Sequence, residues 1–239
     1  MVGKGDHRII SIINKAPIMP PPCLLPLIPQ TSHVMPVACD LYQPFPDLFV
    51  WQYYDAAVKA ELCSSAILAS GKIYLVDPIL LEVSQLDRLR RKAAPAGVIV
   101  TNANHARASA YYSKELSVPI LAQRGSFHGK KPPQFEEISG GTEIRDDLEV
   151  IAIEGAVAGE IALYHPLKGG TIILGDALIN FDPPGFAVLP RKYCLNEKQL
   201  RRSLQELLTR QAERMLFAHG TPILSGANAR LRRLLESAS

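Results

Sequence analysis

Val98-Ile99-Val100-Thr101-Asn102-Ala103-Asn104-His105-Ala106-Arg107 is the stretch on which the reading of this chain turns. Three β-branched apolar residues specify a short buried strand, two asparagines mark a turn, and a helical pattern is expected from His105 to Leu116. A strand that runs into a polar turn and then a helix is where an α/β protein usually carries its chemistry. Asn102 and Asn104 are also ordinary turn formers, and Arg107 suits the first turn of a helix, so this stretch alone sets a place and not an activity.

Three further stretches lie downstream. Glu154-Gly155-Ala156-Val157-Ala158-Gly159-Glu160 precedes the apolar run Ile161–Tyr164. Gly175-Asp176-Ala177 ends the run Thr171–Leu174, and Ala218-His219-Gly220-Thr221-Pro222 ends Met215–Phe217. Upstream, Lys72-Ile73-Tyr74-Leu75-Val76-Asp77-Pro78 is another strand closed by Asp-Pro. From about Leu41 to Leu235 the order and spacing of these stretches resemble the metallo-β-lactamase superfamily. The resemblance implies a mixed α/β fold, the four-layer αββα sandwich of that family.

The resemblance also implies a ligand set, most of which is replaced here. The family carries HxHxDH after its strand, one His in the second stretch, a bridging Asp after Gly, and a last His before Gly. By that correspondence Asn102, Asn104 and Ala156 occupy the first metal's places. Ala106, Arg107 and His219 occupy the second's, and Asp176 lies between them. An amide oxygen is a weak zinc ligand and alanine is none. Arg107, a fixed cation, is expected to repel a dication and to pair with Asp176. Only Asp176 and His219 survive as strong ligands, and a catalytic zinc normally keeps three. His105, displaced by one position from the family pattern, supplies the third ligand of a mononuclear site only if the turn redirects it.

Composition narrows the remaining choices. At 239 residues and 47% hydrophobic, the chain is long enough for one large domain. A formal charge of +3, spread without a dense run, argues against nucleic acid or a membrane surface as partner. Cys23, Cys39, Cys63 and Cys194 are far apart and match neither a zinc-finger nor a disulfide framework, which suits a reducing cytoplasm. No signal peptide or membrane span is expected. A GxSxG elbow, a Walker loop, a Rossmann fingerprint and HExxH are all missing from the sequence.

Seven prolines between Pro17 and Pro36 mark residues 1–35 as an appended arm, with the domain spanning 36–239. Strands are expected at 48–54, 64–69, 73–76, 98–100, 118–122, 148–153, 161–164, 171–174 and 215–217. A helix is expected over 83–92. Another is capped by Asn196 with Gln199 as its partner and carries the stripe Leu200, Leu204, Leu207 and Leu208. The last carries Leu231, Leu234 and Leu235.

The leading expectation is therefore a member of this fold with a degenerate metal site. Asp176, Arg107 and the two asparagines would then line a cleft for a small-molecule ligand or for assembly, homo-oligomers included. The alternative is a hydrolase of ester, thioester or lactone bonds with one weakly held zinc or manganese on Asp176, His219 and His105. A purely structural role is the third.

Overall fold

The computed structural model describes residues 35–56, 59–127, 129, 131–145, 147–182 and 185–237. The expected arm, residues 1–35, lies outside the described residues apart from Met35. In chain order the strands are β1 (Val37–Ala38), β2 (Tyr42–Phe45), β3 (Leu48–Asp55), β4 (Ala60–Ala69), β5 (Lys72–Val76) and β6 (Leu80–Leu81). Helix α1 (Val83–Arg90), β7 (Ala94–Val100), α2 (Ser109–Leu116), β8 (Ile120–Ala122), β9 (Phe135–Glu137) and β10 (Glu143–Ile144) come next. The second half holds β11 (Leu148–Ala152), β12 (Ile161–His165), β13 (Thr171–Leu174), β14 (Leu178–Phe181), β15 (Gly185–Val188), α3 (Glu197–Leu207), β16 (Arg214–Phe217) and α4 (Ala227–Glu236).

Two sheets carry the fold. One runs β2-β3-β4-β5-β7-β8-β9 and the other β10-β11-β12-β13-β16. Strands β5, β7, β8 and β9 are mutually parallel, as are β13 and β16, and the other pairings within these sheets are antiparallel.

The alternation of strand side chains creates the layers. On β5, Ile73 and Leu75 pack toward the helices while Tyr74 and Val76 face the other sheet. On β7 the same division separates Val98 and Val100 from Ile99. Ile172 and Leu174 of β13 face α3 and α4, and Ile173 faces inward. Three apolar clusters result, one under α1 and α2, one between the sheets, and one under α3 and α4. This is the expected αββα sandwich.

Two helix starts are set by local detail. The helix expected from His105 starts only at Ser109, because Asn102–Ala108 is spent on a turn in which Arg107 takes φ +36°. Asn196 does cap α3, its side-chain oxygen accepting from the Lys198 and Gln199 amides, so Gln199 takes part through its backbone N–H. Among the described residues no helix is long and apolar enough to cross a membrane.

Candidate metal centre

Four strand ends meet at one pole of the sandwich. Asp77 follows β5, the turn Thr101–Ala108 follows β7, Gly175–Ala177 follow β13, and Ala218–Gly220 follow β16. All four are carboxyl ends of parallel strands, where loops are free to converge without breaking a ladder.

The turn is shaped by its own asparagine. Asn102 Oδ1 accepts the Asn104 amide at 2.8 Å, and the Ala103 amide donates to the Ala158 carbonyl at 3.0 Å. This winding sends His105 inward, where the residue is 1% exposed. His105 Nε2 lies 3.2 Å from Asp176 Oδ1, and His219 Nε2 lies 3.4 Å from the same oxygen. The ligating atoms of His105, Asp176 and His219 all fall within 4.8 Å of one another.

The opposite nitrogens explain what those atoms can do. His105 Nδ1 is 3.0 Å from Asp77 Oδ2 and 3.0 Å from Thr101 Oγ1. The Thr101 hydroxyl is itself 2.5 Å from Asp77 Oδ2 and donates to it. His219 Nδ1 is 2.9 Å from the Glu61 carbonyl. A carbonyl or carboxylate only accepts, so Nδ1 carries the hydrogen in both rings, and the neutral form of each then has a lone pair on Nε2. Two lone pairs and a carboxylate oxygen thus point at one another. His105 Nε2 is fully buried and makes no aligned hydrogen bond. Such a grouping is stable only around a positive charge, which is either a proton or a metal ion.

Both occupants fit. Ligands about 2.0–2.1 Å from a tetrahedral zinc stand about 3.3 Å apart, which the separations of the two Nε2 atoms from Asp176 Oδ1 match, with all three ligand atoms within 4.8 Å of one another. Each histidine fixed through Nδ1 by an acceptor is also the usual arrangement of a metal-binding imidazole. For a proton, burial and the nearby Arg107 charge lower the His105 pKa, but the Asp77 charge and the carboxylate oxygens of Asp176 and Asp77 beside the ring outweigh them and raise it to about 9. His219 moves down, through burial and then the charge on His105. Burial opposes ionisation of Asp176, yet hydrogen bonding and charge from His105, His219 and Asn104 hold its carboxyl well below the usual range.

Two of the three places that the resemblance gives to a first metal, those of Asn102 and Asn104, hold hydrogen-bond donors. Asn104 Nδ2 donates to Asp176 Oδ2 at 3.0 Å and Asn102 Nδ2 reaches the same oxygen at 3.2 Å. Asp176 therefore spends one oxygen on amides and keeps the other for the imidazoles. Gly175 makes this possible, since a Cβ there would lie 2.5 Å from Thr101 Oγ1 and 2.7 Å from Asn102 Nδ2. Ala156 is buried and supplies no ligand.

Arg107 departs from expectation. Its Nη1 donates to the carbonyls of Cys63 at 2.6 Å and Asp77 at 2.9 Å, and Nη2 to that of Ala218 at 3.3 Å. The expected pair with Asp176 is replaced by these backbone contacts, three carbonyls that together take up the guanidinium's donors. The two asparagines likewise spend donors on Asp176 that were expected for a ligand.

Sequence reading also passes over Asp77, Thr101 and Glu160. Asp77 was legible only as the Asp-Pro end of a strand. Glu160 is 2% exposed, accepts Asn102 Nδ2 at 2.6 Å and the Ala177 amide at 3.1 Å, and is pushed up to about 8 by burial and then by the Asp176 charge. Its one sequence signal is a carboxylate placed directly before the apolar run Ile161–Leu163.

Access to the centre is from the side of His219, whose side chain is 18% exposed, and Asn104, which is exposed.

Comparison with known proteins agrees with this architecture. The family model described as metallo-beta-lactamase superfamily matches residues 40–238. The chain is similar in structure to the DIM-1 metallo-beta-lactamase, with TM-score 0.65 and 15% identity over 86% of this chain and 100% of that one. It is similar to a metallo-beta-lactamase from Pontibacter korlensis, with TM-score 0.62 and 14% identity over 82% of this chain and 98% of that one. A metallo-beta-lactamase family protein from Thermus thermophilus gives TM-score 0.56 and 17% identity over 81% and 78% of the two chains. No curated protein sequence matches the chain. At such identities the structural likeness speaks for the fold.

Proposed function

The chain belongs to the metallo-β-lactamase superfamily, and from that premise we propose that it is a hydrolase of ester, thioester or lactone bonds built on one metal ion held by His105, Asp176 and His219. The observation that carries this reading is the convergence of two Nε2 atoms on Asp176 Oδ1 at 3.2 and 3.4 Å, with both Nδ1 atoms on acceptors. Three protein ligands with one side toward solvent is the pattern of a catalytic zinc site rather than a structural one. A divalent cation held there supplies Lewis acidity toward a carbonyl and lowers the pKa of a water to about 7.

The chain's own residues do the rest. Asn102 and Asn104 donate to Asp176 Oδ2 and leave Oδ1 to the imidazoles. The Glu61 carbonyl and Asp77 hold the two rings in the tautomer that ligation needs. Zinc and manganese are the ions that suit an N,N,O set, with imidazole favouring the first.

A second reading, a cleft for ligand binding without metal, is favoured by charge. With His105 protonated, its charge and that of Arg107 balance Asp77 and Asp176 within the centre.

Metal analysis of protein purified without chelator or tag metal, combined with an ester, thioester and lactone screen, separates the two. The hydrolase reading expects one ion per chain, lost in His105→Ala and His219→Ala, and turnover abolished by chelator. Turnover that survives both chelator and Asp176→Ala, or no binding of zinc or manganese at micromolar concentration, refutes it.

A further inference from the structure

We propose that His165 is an acid-operated latch between the two sheets, which leaves the Asp147 carboxylate on the Ser70 amide while its ring is neutral and draws the carboxylate off that amide once the ring is protonated.

The alternation of strand side chains brings charge into the layer between the sheets. Ile161 and Leu163 of β12 lie in that layer, which puts His165 on the same face, and Leu216 of β16 does the same for Arg214. The layer is apolar through its middle and ends, at the pole away from His105 and His219, in His165, Arg214, Asp47 and Asp147. His165 is 1% exposed, Arg214 2% and Asp47 4%. Of the eight buried side-chain polar atoms with no hydrogen-bond partner among the described residues, five belong to this group: Asp47 Oδ1, Asp147 Oδ1, Arg214 Nε and both ring nitrogens of His165. Buried polar atoms are seldom left in that state, so the mismatch marks a group able to change its pairing.

The ion contacts here are all long. His165 Nε2 is 3.7 Å from Asp147 Oδ2, and Asp47 Oδ1 is 3.5 Å from both Arg214 Nη1 and Lys168 Nζ. The short bond of Asp147 runs across to the other sheet, where the Ser70 amide donates to the same Oδ2 at 2.7 Å. Ser70 is fixed in the β4–β5 turn, with φ +45° followed by Gly71 at +72°, and its hydroxyl donates to the Arg145 carbonyl at 2.7 Å. One oxygen therefore has two claimants, one from each sheet, and the nearer holds it. A charge-assisted bond from an imidazolium is about 2.7–2.9 Å long. Taking Oδ2 to that distance moves it roughly 1 Å and stretches the Ser70 bond beyond hydrogen-bond range.

Among the described residues the charged groups that face the ring are Asp147 of the β10–β11 turn, Asp47 of the β2–β3 turn and Arg214 of β16, with Lys168 of the β12–β13 turn beyond them on Asp47. Burial lowers the His165 pKa, the charges of Asp147 and Asp47 pull it up, and that of Arg214 pushes it down, with a net movement downward. The ring is therefore neutral at pH 7, and the latch works below about pH 6.5. With a neutral ring the two carboxylates balance Arg214 and Lys168. Protonation adds a third cation, and Asp147, whose ion contact among the described residues is His165, is the carboxylate placed to answer it.

The experiment follows the full chain from about pH 7.5 to about pH 5, with nitrogen NMR of labelled histidine for the charge of each ring and amide hydrogen exchange for the Ser70 N–H. Ser70 protection, corrected for the pH dependence of exchange itself, is expected to fall about tenfold as His165 titrates, the size of one hydrogen bond. In His165→Gln, and in Asp147→Asn, whose side-chain oxygen still accepts the amide but carries no charge, it is expected to stay within about twofold. Protection that stays constant through the His165 titration overturns the assignment. So does a fall of the same size in either variant, which would trace the effect to another group such as His219. A His165 ring that stays neutral until the chain unfolds overturns it as well, and the wild-type measurements decide the matter even if a variant fails to fold.

Discussion

Glu160 and Asp176 share one amide: Asn102 Nδ2 stands 2.6 Å from Glu160 Oε2 and 3.2 Å from Asp176 Oδ2. A single NH₂ group thus joins a buried carboxyl that keeps its proton to one that has lost it, with pKa directions driven apart by their surroundings.

That separation gives the metal-free protein a particular pH dependence. Glu160, raised to about 8, keeps a proton in the native state that the unfolded chain releases above about pH 4.5. His105, raised to about 9, keeps one that the unfolded chain releases above about 6.5. In both cases the native state binds more protons, so stability is full at the acid side of each window and falls as pH rises. Each group contributes a slope of up to about 1.4 kcal/mol per pH unit. Because His219 and His165 are lowered and act in the opposite sense below about pH 6.5, urea denaturation of chelator-treated protein is expected to show falling stability from about pH 7 to 8, with roughly half the slope in Glu160→Gln. A slope that is flat or of the other sign contradicts the assignment.

On the single-metal reading, uptake of an ion displaces the His105 proton. Zinc binding at pH 7 is therefore expected to release about one proton, and the apparent affinity to rise about tenfold per pH unit until His105 is neutral near pH 9. Calorimetry in buffers of different ionisation enthalpy counts the proton, and His105→Ala is expected to abolish its release.

Gly175→Ala tests the crowding behind Asp176. A methyl group would lie 2.5–2.7 Å from Thr101 Oγ1 and Asn102 Nδ2, and 2.9 Å from Glu160 Oε1. The expected cost is about 1–3 kcal/mol of stability, with zinc affinity lowered because Asn102 is pushed off Asp176. A variant as stable as wild type would mean that the three groups move apart freely.

The far ends of β13 and β16 carry an unrelated buried charge. Arg214 is 2% exposed, lies 3.5 Å from Asp47 Oδ1, and donates to the Leu167 and Lys168 carbonyls at 3.1 and 3.0 Å. Arg214→Met leaves Asp47, itself 4% exposed, with the half-exposed Lys168 as its ion-pair partner and His165 nearby. A loss of about 3–5 kcal/mol is expected for breaking such a pair, while zinc affinity stays within about twofold because the centre is at the opposite pole. Thermal denaturation with and without zinc checks both parts.

The fold was legible because its signals are periodic. Ile73 to Val76, Val98 to Val100 and Ile172 to Leu174 alternate between two apolar layers, and Leu200, Leu204 and Leu207 repeat at helical spacing. The strands that escaped notice lack that pattern: β2 contains Pro44, and β14 pairs with β15 through half-buried side chains. In the centre, Asp176 and His219 were singled out because each ends a strand at a place where the resemblance puts a metal ligand. His105 was harder, since which residue of a seven-residue turn faces inward depends on how the turn winds, here on the Asn102 bond to the Asn104 amide and the Ala103 bond to Ala158, and neither contact leaves a mark in the sequence. The asparagines were visible as lost ligands, but their gain as donors to Asp176 arises from contacts more than 70 residues apart.

Arg107 grips the carbonyls of Cys63, Asp77 and Ala218, and so ties strand ends of both sheets with a charge that cannot dissociate. In a centre knitted together only by an exchangeable ion, emptying the site and loosening the scaffold are one event. Here a guanidinium also holds the pole, so its chain segments have a tie that owes nothing to an exchangeable ion.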